Sequence, residues 1–256
     1  VLIPQGQFLI NCSYDLSKDV FDSLAKIQNV LIRTNDFLSV KKGSSIQDIT
    51  KEILSTDFSQ SVHFVPTGFT GCDRILGGGL GNGELIIVAA RPGMGKTAFT
   101  LSLAKNAALD GKKPVAFFSL EMSSLQLVNR LISSEAELDS DKIKKGTLAD
   151  HEWAQLVHKT AKLSKAPLFV DDTPALSILE LRAKCRKLKA QHDIQMVVVD
   201  YLQLMSGDSK GGFGGNREQE IASISRALKK IAKELSIPVI ALSQLSRAVE
   251  TRGGDK

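Results

Sequence analysis

The stretch from Val88 to Thr100, VAARPGMGKTAFT, carries the residues best suited to chemistry. Its Gly-Lys-Thr ending follows the phosphate-loop pattern G-x-x-x-x-G-K-[ST], except that the first glycine is replaced by Ala90. Main-chain N–H groups at the start of a helix face a bound phosphate, and glycines let the chain approach it without a Cβ in the way. Gly93 and Gly95 supply that freedom, and Arg91, Pro92 and Met94 complete the loop. Ala90 is expected to be the last residue of the preceding strand. With a negative φ there its methyl group costs little, whereas a left-handed conformation would cost about 1–2 kcal/mol. Lys96 is placed to reach the β- and γ-phosphates and the Thr97 hydroxyl to bind Mg²⁺. The bland alternative is a glycine-containing turn with a solvated lysine; an apolar run before the loop and a helical stretch after it favour the phosphate site.

Nucleotide hydrolysis also needs polar groups at the carboxyl ends of neighbouring strands, where a crevice opens in α/β sheets. Asp200 ends MVVVD, the form of a Walker B strand, and is suited to the Mg²⁺ shell. Glu121 directly follows PVAFFSL, where a carboxylate can take a proton from the attacking water as general base. Gln244 ends PVIALSQ, where an amide can sense the γ-phosphate. Each of these alone also reads as a strand-end cap or a solvated edge. Together with the loop they point to ATP hydrolysis with ATP and Mg²⁺ bound, Lys96 and Glu121 being the catalytic pair.

The elements that must position these groups alternate in type. ELIIVAA (84–90), PVAFFSL (114–120), PLFVDD (167–172), MVVVDYL (196–202) and PVIALSQ (238–244) are short, apolar and rich in β-branched and aromatic residues, and read as buried parallel strands. Helical stretches lie between them. Ser123 with Gln126, and Ser177 with Glu180, have capping-box spacing. In REQEIASISRALKKIAKEL, Ile221, Ile224, Leu228, Ile231 and Leu235 share one face. This alternation predicts an α/β fold with a mostly parallel sheet covered by helices on both faces. Ahead of it, Val20, Leu24, Ile27, Leu31 and Leu38 form the stripe of an amphipathic helix over residues 17–38, and Ser45 with Asp48 starts a further short helix, so a helical linker precedes the sheet.

Composition excludes several classes. The 256 residues are 43% hydrophobic and 24% charged, with a net charge of +5, ordinary values for a globular chain and too weak a charge to identify a polyanionic partner. No apolar run approaches the roughly 20 residues of a membrane span, so a cytoplasmic protein with no membrane partner is expected. Cys12, Cys72 and Cys185 are isolated, and the four histidines lack ligand spacing, which argues against a disulfide framework or a zinc site.

PTGFTGCDRI, AARPGMGKTAF, FFSLEMSSLQLVNRLIS, VVVDYLQLM, NREQEIASISRALKKIAKEL and PVIALSQLSRAVETRGGDK occur in that order, and as a set they resemble the ATPase domain of the DnaB-type replicative DNA helicases. That family commonly has alanine at the position of Ala90. The resemblance implies a RecA-like P-loop fold, with Lys96 and Thr97 as phosphate and Mg²⁺ ligands, Glu121 as catalytic base, Asp200 as Walker B acid and Gln244 as γ-phosphate sensor. It further implies a homo-hexameric ring that moves 5′ to 3′ along single-stranded DNA at the replication fork, with a primase and a helicase loader as partners. Residues 1–16 would be a remnant of the N-terminal collar, 17–61 the helical linker that packs on the neighbouring subunit, and 62–256 the ATPase domain, incomplete at its C-terminus. The chain would then lack the arginine finger given to the next subunit, a group worth roughly 10³–10⁵ in rate in related NTPases, so slow hydrolysis and no unwinding are expected of the chain alone.

For DNA, the glycine-rich run Gly207 to Glu218 has the length of a functional loop, and Lys210 and Arg217 are its candidate phosphate contacts. The basic run from Arg182 reads better as a solvated helix face, and Trp153 and Phe213 as core and loop. Two rival functions share these motifs: a recombinase-like RecA-type ATPase, and a nucleotide-binding assembly module without catalysis.

Overall fold

A computed structural model describes residues 45–55, 64–205 and 217–245 of the chain. The chain divides into two compact units, Val1–Val62 and His63–Lys256. In the first, the described residues form one helix, α1 (Ile46–Ser55), which begins directly after Ser45. The amphipathic stretch 17–38 lies outside the described residues, as do Lys210 and Phe213.

The second unit runs α2 (Thr70–Ile75), β1 (Leu85–Ala90), α3 (Lys96–Leu109), β2 (Val115–Ser119), α4 (Ser124–Ala136), α5 (Ser140–Lys145), α6 (Asp150–Leu163), β3 (Leu168–Asp171), α7 (Ile178–His192), β4 (Met196–Asp200), a short 3-10 turn at Leu202–Leu204, α8 (Arg217–Leu235) and β5 (Val239–Gln244). All five apolar runs are strands of one sheet, every pairing is parallel, and the order is β1-β5-β4-β2-β3. The chain thus places β1 at one side and β2 and β3 at the other, then returns twice to fill the gap.

Alternate strand residues point to opposite faces, and two cores result. On one face Ala116, Phe118, Val197, Val199, Val239 and Ala241 meet Leu181 and Cys185 of α7 and Ile224, Leu228 and Ile231 of α8. On the other, Val115, Phe117, Val198, Ile240 and Leu242 meet Leu101, Ala104 and Ala107 of α3 and Leu127 and Leu131 of α4. Both capping boxes form, Ser123 with Gln126 and Ser177 with Glu180, and fix the first turns of α4 and α7.

Two expectations need correction. Only β2, β4 and most of β5 are fully buried; β1 and β3 are the outer strands among the described residues and are half-covered, with Ile87 46% exposed. A local apolar run says that a strand has neighbours but not on how many sides. Trp153, expected in the core, is 47% exposed on α6, with Val157 of the same helix also exposed.

Candidate nucleotide-binding site

The sheet order determines which residues meet. Because β1, β5, β4 and β2 are adjacent and parallel, their carboxyl ends lie in a row, and the chain leaving each contributes to one cavity of about 340 Å³. Pro92, Gly93, Gly95, Lys96, Thr97 and Ala98 from the loop and the start of α3 line it, with Glu121, Arg130, Asp200, Tyr201 and Gln244. Thus Lys96, Thr97, Glu121, Asp200 and Gln244, spread over some 150 residues of sequence, share one space.

The loop has the geometry that its sequence suggests. Ala90 ends β1, paired with Gln244, and its φ is not positive, so the missing first glycine carries no conformational cost. Gly93 and Gly95 have φ of +77° and +81°, a region that side chains other than glycine enter at a cost. Gly95 is the N-cap of α3, so the helix opens directly onto the cavity with its first amides unpaired within the helix. The Lys96 ammonium donates to the main-chain oxygens of Ala90 (3.0 Å) and Arg91 (3.3 Å). Two of its three protons thus tether the charge to the loop, and a third remains for a phosphate oxygen. Arg91 and Met94 belong to the same turn, with the Met94 N–H on the Arg91 carbonyl at 3.3 Å.

Asp200 is 1% exposed, and its Oδ2 has no hydrogen-bond partner. Burial raises its carboxyl above the ordinary range; the Thr97 hydroxyl beside it pulls the other way, the Glu121 charge adds to the rise, and Lys96 and Arg130 oppose it. A buried carboxylate oxygen without a partner is costly, and its chemistry, next to a threonine hydroxyl, fits a hard divalent cation. Mg²⁺ sites typically take one or two protein ligands and complete their shell with phosphate oxygens and water.

Glu121 is positioned by local bonds. Ser119 pairs with Asp200 across β2 and β4, and the Leu120 N–H donates to the Asp200 carbonyl at 2.7 Å. The Ser119 hydroxyl donates to the Met122 carbonyl (2.7 Å) and accepts from the Met122 N–H (3.1 Å), closing a tight turn with Glu121 at its tip. Asp172 Oδ2, at the end of β3, accepts the Ser124 N–H at 2.8 Å and sets the start of α4, the helix that brings Arg130 to the cavity.

Arg130 and Tyr201 were not singled out from the sequence. For Arg130 a signal was present: α4 is capped at Ser123, two residues after Glu121, and Gln126, Arg130 and Met122 border a common smaller cavity, as i, i+4 spacing on one helix face allows.

The fold agrees with that of known proteins. Residues 64–256 match the DnaB-like helicase C-terminal domain family. The chain belongs to this family. The replicative DNA helicase DnaB of Rhodothermus marinus is 48% identical to it over 263 aligned positions, which cover 100% of this chain and 27% of that protein. The replicative DNA helicase DnaC of Bacillus subtilis (strain 168) is 40% identical, with 98% of this chain and 56% of that protein covered. The chain therefore spans between about a quarter and a little over half of these DnaB-type relatives. A solved structure of a DnaB-like replicative helicase, described with its interactions with primase, superposes with a TM-score of 0.75 at 31% identity, covering 98% of this chain and 60% of that one. The RecA-like, mostly parallel sheet expected of a DnaB-type domain is the fold observed.

The DNA candidates fare differently. Lys210 lies outside the described residues, and Arg217 is the first residue of α8, its side chain likewise outside them. The basic run on α7 is engaged within the fold: Arg182 and Arg186 both pair with Glu234, Lys184 pairs with Asp171 (2.6 Å) and Lys189 with Asp193 (2.7 Å). No described helix is long and apolar enough to cross a membrane.

Proposed function

We propose that this chain is the ATP-hydrolysing motor of a hexameric replicative DNA helicase that translocates 5′ to 3′ on single-stranded DNA. The observation that carries the proposal is the buried Asp200, its Oδ2 unpartnered, beside Thr97 in the cavity of the glycine-containing loop. Loop residues 90–97 bind the triphosphate: the amides around Gly93 and Gly95 cradle its oxygens, Lys96 supplies the balancing charge, and Ala90, Arg91, Pro92 and Met94 hold the turn's shape. Thr97 and Asp200 would hold Mg²⁺, which when bound neutralises charge on the β- and γ-phosphates. Glu121 orients a water and accepts its proton during attack on the γ-phosphorus. Gln244 contacts the γ-phosphate and reports its presence. Arg130, whose charge already acts on Asp200, adds positive potential at the same cavity.

The remaining assignments rest on family membership. Residues 62–256 act as the ATPase domain, 17–61 as the linker and 1–16 as part of a collar, in a cytoplasmic hexamer served by a primase and a loader, with Lys210 and Arg217 on the DNA path. The test is Glu121→Gln in the assembled protein on forked DNA. ATP hydrolysis and unwinding should fall by roughly 10²–10⁴-fold, the range of a general base, while Mg·ATP binding is kept. Unchanged hydrolysis would remove Glu121 from the chemistry, and a wild-type protein that binds Mg·ATP without hydrolysing it would remove the enzyme reading and leave the assembly module.

A further inference from the structure

Gln203 lies outside the cavity lining yet is bonded to the main chain of Gln244, and the sheet register explains why. The β4–β5 pairing runs from Val197↔Val239 to Val199↔Ala241, and β4 ends at Asp200. Strand β5 continues to Gln244, accompanied on its other side by β1 as far as Ala90↔Gln244. On the β4 side, therefore, the last residues of β5 have outrun their neighbouring strand. The side chain of Gln203, in the 3-10 turn that follows β4, takes the place of the missing rung. Its Nε2 donates to the Gln244 carbonyl (3.2 Å) and to the Ser243 hydroxyl (3.0 Å), and its Oε1 accepts the Gln244 N–H at 3.4 Å. A primary amide has the donor and acceptor of a peptide group, so it can extend a ladder by one step. The opposite edge is closed by the Leu245 N–H, which donates to the Ala90 carbonyl at 3.2 Å. In a strand, successive residues direct their main-chain groups to alternate sides, and these bonds obey that rule: Gln244 bonds toward Gln203, Leu245 toward β1.

The main chain at Gln244 is thus held between the first residue of the phosphate loop and the turn that follows Asp200. Gln244 is the cavity residue most dependent on this clamp, because it is the last residue of its strand. We infer that Gln203 is a positioning residue: its side-chain amide fixes the Gln244 side chain at the height of a γ-phosphate, and so determines how well the site distinguishes a nucleoside triphosphate from a diphosphate. The inference rests on the nucleotide-site reading and goes beyond it in naming a residue that does not touch the nucleotide.

The test compares affinities for a non-hydrolysable ATP analogue and for ADP, both with Mg²⁺, across Gln203→Ala, Ser243→Ala, Gln244→Ala and the Gln203→Ala/Gln244→Ala pair. Gln203→Ala should weaken the ATP analogue about fivefold, the effect of roughly one net hydrogen bond, and leave ADP unchanged. Ser243→Ala, which removes only the hydroxyl partner, should move the same ratio in the same direction by about twofold, and it remains informative should Gln203→Ala not fold. In the Gln244→Ala background, Gln203→Ala should have no further effect on the ratio, because it acts through Gln244. Equal weakening of both nucleotides, or an undiminished effect without Gln244, would assign Gln203 a merely structural role and overturn the inference while leaving the site intact. A wild-type protein that binds neither nucleotide saturably would overturn the site reading itself, a result recognisably different from the first.

Discussion

Asp200 shows at the residue scale how function sets itself against stability. A carboxylate with a raised pKa binds its proton more tightly in the folded than in the unfolded chain, so its contribution to stability declines as pH rises through the ordinary carboxylate range. At neutral pH the ionised, buried, partly unpartnered group weakens the fold. Asp200→Asn should therefore raise the melting temperature of the nucleotide-free protein at pH 7, reduce the fall of stability with rising pH, and abolish the Mg²⁺ dependence of nucleotide binding. Thermal scans from pH 4 to 8, with and without Mg·ATP, would check all three; a lower melting temperature at pH 7 would mean that the carboxylate is stabilising and the burial argument is wrong. The residues of this site were largely legible in the sequence, because Lys96, Thr97, Glu121, Asp200 and Gln244 each stand at the end of an apolar run or in a glycine-containing turn. Gln203 was not, since its importance comes from where β4 stops relative to β5, and a single strand's sequence does not record its neighbour's length.

At the scale of elements, helix starts were the most legible feature and strand environments the least. Ser123 and Ser177 announce α4 and α7 because a capping box is a local transaction between four consecutive residues. Ser177→Ala should lower stability by about 1 kcal/mol, measurable as a shift in urea midpoint, with nucleotide affinity unchanged because α7 packs on the face of the sheet and its cap does not line the cavity. Ser123→Ala should cost a similar amount and also weaken nucleotide binding, because α4 carries Arg130. Equal effects on binding from the two caps would contradict the assignment of α4 to the site. The half-covered state of β1 and β3 was illegible for a different reason: their composition matches that of the central strands, and only the order β1-β5-β4-β2-β3 places them outside. The basic face of α7 is a related case. Its cations meet Glu234, Asp171 and Asp193, the first supplied by α8, far along the chain, and the second by the preceding strand.

Across the whole molecule, a fold read from strand and helix alternation is realised as two cores on opposite faces of one parallel sheet, and the crossing of the chain past β1 to β2 and back makes four strand ends neighbours. Cys185 reports the integrity of one core: fully buried between α7 and the sheet, its thiol is pushed up to about 12 by that burial. It should resist alkylation in the native protein while half-buried Cys72 reacts, a contrast that peptide mapping by mass spectrometry would read and that reaction of both at equal rates would refute. The central claim is narrower than the fold: the cavity where these strand ends meet takes a nucleoside triphosphate with Mg²⁺. Calorimetric titration of the protein with a non-hydrolysable Mg·ATP analogue, beside Lys96→Ala, tests it most directly. The account predicts one saturable site per chain in the wild type and at least about a tenfold loss in the variant, as expected when a charge-assisted hydrogen bond to phosphate is removed; no saturable binding, or equal binding by the two proteins, would contradict it.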